Sequence, residues 1–77
     1  MSDTRDMKGS EFIRKIKALA RERGLEVRWV ATRGHGSHGT LYLGREFTIV
    51  QSLAHELKPG TLQGMLKQLG LKKEDLR

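Results

Sequence analysis

The 77-residue chain has no cysteine and a single proline, and its aromatic residues make up only 5% of the total. Without Cys there is no disulfide framework, no thiol nucleophile and no Cys-based zinc or iron-sulfur site, a composition that suits a reducing compartment. Long apolar runs are missing as well: stretches such as Trp29-Val30-Ala31 are far too short to cross a bilayer. Met1 to Met7 is polar and mixed in charge, whereas a secretory signal needs a basic start and then an apolar stretch. The expectation is a cytoplasmic protein in which residues 1–7 form a flexible N-terminal tail and residues 8–77 a single domain. A hydrophobic share of 36% over this length supplies one modest core and leaves no room for a second domain. Ordering a chain costs about 1.5 kcal/mol per residue, so the reserve of stability is small and a stabilising partner is expected.

Acidic residues are the minority charge. The chain carries 15 Lys and Arg against 9 Asp and Glu, a net +6 at pH 7. Such an excess says nothing about fold, but it favours polyanionic partners through long-range attraction and counterion release. Nucleic acid leads that group, ahead of acidic proteins and anionic membrane surfaces.

Apolar residues Phe12, Ile13, Ile16, Leu19 and Ala20 recur with a helical period, and Gly24 stands where a left-handed cap would fall. This predicts a helix over 10–23. From Leu25 the period becomes two, with Leu25, Val27, Trp29 and Ala31 on one side of a half-buried strand. A Gly-rich stretch, 34–39, precedes a second β-prone run, 40–43, and the turn Gly44-Arg45 joins it to a third, 46–50, as a tight hairpin. Lys58-Pro59-Gly60-Thr61 has the character of a helix start, and Leu62, Met65, Leu66 and Leu69 give the second helix, 60–69, its stripe. Residues 71–77 fit either a further helical turn or a frayed end. The expected fold is α+β, in the order α-β-β-β-α, with both helices burying their stripes on one face of a three-stranded antiparallel sheet.

The stretch Gly34-His35-Gly36-Ser37-His38-Gly39 satisfies the letters of the dinucleotide fingerprint, but a β-prone run follows it instead of a helix and the chain is too short for a βαβ sheet. Metal binding would need His35, His38 and His55 as a three-imidazole set, with the first two in a loop and no convincing acidic ligand beside them. A third reading uses imidazole beside phosphate: His exchanges a proton near neutral pH, and flanking glycines let the backbone approach a phosphodiester. Arg33 could neutralise a phosphate in that arrangement. Against all three stands a plain solvated loop.

Three segments carry a resemblance. Lys8-Gly9-Ser10-Glu11-Phe12-Ile13, Arg33-Gly34-His35-Gly36-Ser37-His38, and Leu57-Lys58-Pro59-Gly60-Thr61-Leu62 running into Met65-Leu66-Lys67-Gln68-Leu69-Gly70 resemble the HicA toxin family. The similarity extends from Met7 onward, and the Gly-Ser-His triplet with the Lys-Pro-Gly-Thr-Leu run forms its most specific pair. The resemblance implies a fold similar to the double-stranded-RNA-binding domain and the activity of an endoribonuclease, an mRNA interferase that halts translation. It further implies a cognate HicB antitoxin as partner and places the catalytic role of the family's Gly-Ser-His histidine on His38. The chain departs from the family pattern in having His35 where Lys is frequent, and His55 where a basic residue precedes Glu-Leu-Lys.

On this reading His38 moves the proton of a ribose 2′-hydroxyl or of the leaving 5′-oxygen, without a metal or other cofactor. His35 could share acid and base duties, and the backbone amides of Gly36 and Ser37 could touch the phosphate. Ser37 lacks an acid-oriented base that would make it a nucleophile. Lys8, Arg33, Arg45, Lys58 and Lys67 are the candidate contacts to RNA, each otherwise an ordinary solvated cation. Trp29 falls in phase with the core, Tyr42 could face either way, and Met65 belongs to the helix stripe. The alternative function is a non-enzymatic RNA-binding module of the same topology. No membrane partner is expected, and DNA binding is not expected of this chain alone, since no helix-turn-helix spacing occurs.

Overall fold

The computed structural model describes residues 7–31 and 38–76. Helix α1 spans Gly9–Arg23 and buries Phe12, Ile13, Ile16, Leu19 and Ala20, the whole predicted stripe. It closes on Gly24 at φ 67°, with the Leu25 N–H donating to the Ala20 carbonyl at 2.8 Å, as in a Schellman cap. That cap corrects the expected start of the first strand. Leu25 is tied to the helix end and 42% exposed, so it does not join the buried face of the sheet.

Strands β1 (Val27–Ala31), β2 (Gly39–Leu43) and β3 (Glu46–Val50) follow, and helix α2 spans Pro59–Gln68. The strands form an antiparallel sheet in the order β1-β2-β3, so the chain runs α-β-β-β-α and the fold is α+β. Leu43 pairs with Glu46 across a two-residue loop in which Gly44 has φ 60° and Arg45 does not have positive φ. A left-handed first position alone is the pattern of a II′ turn, whose twist matches that of the strands it joins.

Alternation sorts the sheet into two faces. Leu41, Leu43, Thr48 and Val50 point inward and are buried with the stripes of both helices, while Val27 and Trp29 pack against this core half-buried. The hydroxyl of Thr48 donates to Gln68 Oε1 at 2.5 Å, which links β3 to the last turn of α2 and satisfies the one polar side chain in that layer.

Two terminal segments complete the core. Met7, expected at the end of the tail, is 1% exposed, and its carbonyl accepts the Leu57 N–H at 2.8 Å. Met7 thus belongs to the domain and not to a tail; the remainder of the expected tail, residues 1–6, lies outside the described residues. After α2, a 3-10 turn at Lys73–Asp75 brings Leu71 and Leu76 into the core, and Arg23 bridges to Asp75 at 2.8 Å. Among the described residues no helix is long and apolar enough to cross a membrane.

Candidate functional site

His38 directly precedes Gly39, the first residue of the central strand, and is half-buried. Gly39 has Ala31 as its register partner on one side and Val50 on the other, so His38 stands at the end of the sheet where β1 leaves and the β3 to α2 loop begins. Close packing holds this end together. A Cβ on Gly39 would overlap the Val30 carbonyl oxygen and stand 3.0 Å from Trp29 Cη2, so glycine is what lets β1 and the indole close over the start of the central strand.

The segment after β3 is anchored to α1. Gly9 and Ser10 donate their amides to the carbonyls of His55 and Leu53 at 3.3 and 3.1 Å, and Lys8 forms an isolated bridge with Glu56. These contacts engage amides that a helix start leaves unpaired and hold the 51–58 segment against the start of α1.

Within this segment Ser52 Oγ lies 2.7 Å from His55 Nδ1 and also accepts the His55 backbone N–H at 3.3 Å. Either tautomer engages Nδ1, leaving Nε2 as the ring nitrogen directed to other partners. A shallow groove runs past Gln51, Ser52, His55, Glu56, Lys58 and Thr61, ending at the first turn of α2. Lys58 is the N-cap residue of α2 and Lys8 that of α1, both exposed, so two cations and two helix starts flank the loop that carries His55.

The structure therefore gathers Lys8 and Lys58 near one end of the sheet and separates the other expected contacts. Arg45 occupies the hairpin turn at the opposite end of β2, roughly 20 Å along the strand from His38 at 3.3 Å per residue. Lys67 lies in the last turn of α2 and lines a second groove with Lys72 and Lys73. Arg33, His35, Gly36 and Ser37 lie outside the described residues. Among the described residues no group of three or more His, Asp and Glu is placed to hold a metal ion.

Ser52 is the site residue that sequence reasoning missed. Its signal is a Ser three residues ahead of a His, a spacing that becomes a side-chain contact only when the loop turns back as it does here. No family model, no curated protein and no solved structure matches this chain.

Proposed function

We propose that this protein is a HicA-type mRNA interferase: an endoribonuclease toxin that cleaves RNA without a metal and so inhibits translation, with His38 as its proton-transfer residue. The observation that carries the reading is the position of His38. It stands at the end of the central strand, next to the tightly packed Gly39 and adjoining a loop that Lys8 and Lys58 flank.

The chemistry follows from a 2′-hydroxyl next to a phosphodiester. His38 as base accepts the 2′-hydroxyl proton while the 2′-oxygen bonds to phosphorus. The bond from phosphorus to the 5′-oxygen breaks, and that oxygen leaves with a proton supplied by an acid. The products are a 2′,3′-cyclic phosphate and a 5′-hydroxyl, and DNA, which lacks the attacking group, is spared. Proton transfer of this kind contributes typically ~10² to 10⁴-fold in rate. Lys8 and Lys58 would neutralise the phosphates that flank the cut.

The resemblance to the HicA family implies a HicB-like antitoxin as partner; the +6 charge would hold the RNA and would also attract an acidic inhibitor that covers His38. Incubating the purified protein with an RNA and the matched DNA, and analysing the ends produced, tests the activity. Cyclic phosphate ends from RNA alone support the ribonuclease, whereas binding without cleavage would make the protein a non-enzymatic RNA-binding module.

A further inference from the structure

The face of the sheet turned away from both helices carries a patch that the core does not use. Register aligns its residues in two rows across the strands, Arg28, Tyr42 and Phe47 in one and Val30, Thr40 and Ile49 in the next. Four large apolar side chains are open to solvent there: Val30 at 42%, Tyr42 at 41%, Phe47 at 55% and Ile49 at 49%. Single exposed apolar residues are ordinary, but a contiguous set on one face of so small a domain marks a binding surface.

The chemistry of the first row favours nucleic-acid bases over other occupants. The Tyr42 and Phe47 rings lie 5.9 Å apart at 48°, a cross-strand pair with Arg28 beside it in register. Aromatic rings and guanidinium planes are the groups on which unpaired bases stack. A second copy of this chain would bring +6 against +6, which disfavours the face as a self-interface.

Position adds a second argument. His38 directly precedes β2, whose outward positions Thr40 and Tyr42 belong to the platform, so the platform starts next to the candidate acid-base residue. Tyr42 is four residue steps from His38, roughly 13 Å at 3.3 Å per residue, short enough for one single strand to reach both. Glu26 borders the groove beside Arg28 and Tyr42 and opposes a phosphate at that far end, which leaves the ring row as the place for bases.

We infer that the outer sheet face is a stacking platform for unpaired bases of the RNA strand whose scissile phosphate sits at His38, with Tyr42 and Phe47 carrying the bases. The inference rests on the ribonuclease reading of His38. It concerns how the substrate is held: the enzyme selects single-stranded segments, because paired bases cannot present their faces to the rings.

The test is binding of a fluorescently labelled single-stranded RNA oligonucleotide to His38→Ala protein, in which the probe is not cut. Tyr42→Leu and Phe47→Leu keep apolar bulk and remove the ring. Each is expected to weaken binding roughly 5- to 150-fold, the equivalent of the ~1–3 kcal/mol that one stacked base contributes, while Tyr42→Phe retains affinity. A duplex of the same sequence should bind more weakly and respond little to either Leu variant. Photocrosslinking of 5-iodouridine RNA to unsubstituted Tyr42 or Phe47, mapped by mass spectrometry, reads the same contact without relying on a variant's folding. Unchanged affinity in the Leu variants, crosslinks confined to other residues, or a wild-type dimer that Phe47→Asp dissociates would overturn the platform. If the wild type still cuts RNA in a His38-dependent manner, that failure leaves the ribonuclease reading standing; if it neither binds nor cuts RNA, both fall.

Discussion

Gly9 lies so close to Ser52 that a Cβ on the glycine would overlap the Ser52 carbonyl oxygen and stand 3.1 Å from Leu53 Cα. This approach seats the start of α1 on the loop that carries His55 and Lys58, and the Gly9 and Ser10 amides complete the join. Both obstructing groups are backbone, so relief requires the helix and the loop to separate. Gly9→Ala should cost about 1–3 kcal/mol, as overpacking does. For a domain of this size each kcal/mol lowers the melting temperature by about 4–8 °C. A thermal melt followed by circular dichroism checks this; an unchanged midpoint would contradict the packing.

The bond from Thr48 to Gln68 joins partners in unlike surroundings, since Thr48 is buried and Gln68 exposed. Removing the buried hydroxyl with Thr48→Val leaves an amide that water can satisfy, and should cost no more than about 1 kcal/mol. Gln68→Met instead leaves the hydroxyl inside without its acceptor, at about 1–3 kcal/mol. Chemical denaturation of both variants is expected to rank Gln68→Met as the more damaging; the reverse order would show that the bond contributes little.

Much of this architecture was legible in the sequence because it depends on local periodicity. The α1 stripe, the Gly44-Arg45 hairpin and the Lys58-Pro59 helix start all follow from spacing and turn chemistry, and each occurs where expected. What escaped depends on contacts between distant segments. Met7 is one apolar residue in a polar stretch, and only its pairing with Leu57 reveals it as core. Leu25 keeps the strand's alternation on paper, yet the Schellman bond to Ala20 holds it outside the sheet. Leu71 and Leu76 are buried through a turn that Arg23 fastens from 52 residues away. At the site, the position of His38 beside a strand end could be read from the β-prone run after it, whereas the Ser52 contact to His55 required the loop's path.

Asp75 gives the C-terminal turn a pH dependence. Its carboxylate accepts the Lys72 backbone N–H and the Arg23 guanidinium, each at 2.8 Å. The backbone hydrogen bond from Lys72 is the largest influence; desolvation opposes it, and the Arg23 hydrogen bond and charge add to it, so the pKa stays below the ordinary 3.8. A carboxyl with a depressed folded pKa stabilises the fold above its unfolded value and loses that contribution as pH falls through the folded one. Stability measured by urea denaturation should therefore decline as pH drops below about 4, with Asp75→Asn showing a shallower decline. Identical pH profiles for the two proteins would rule out this contribution.

Lys58 and Lys67 sit at opposite ends of α2, about 15 Å apart along a helix of this length. If Lys8 and Lys58 at this end of the sheet grip the RNA, each phosphate contact contributes about −0.7 to the log-log salt slope of single-strand binding. Lys58→Ala should make that slope shallower by about 0.7, the share of one phosphate contact, while Lys67→Ala leaves it nearly unchanged. Titrations of a single-stranded RNA at several salt concentrations measure both; a slope that neither variant alters would place the grip elsewhere.

The most direct test is cleavage by wild-type and His38→Ala protein of the same RNA in EDTA, with the matched DNA alongside and the product ends identified. The ribonuclease reading requires RNA cut to 2′,3′-cyclic phosphate ends, DNA left intact, and a rate that falls about 10²- to 10⁴-fold in the variant. Cleavage by His38→Ala at the wild-type rate, or activity that EDTA abolishes, would contradict it.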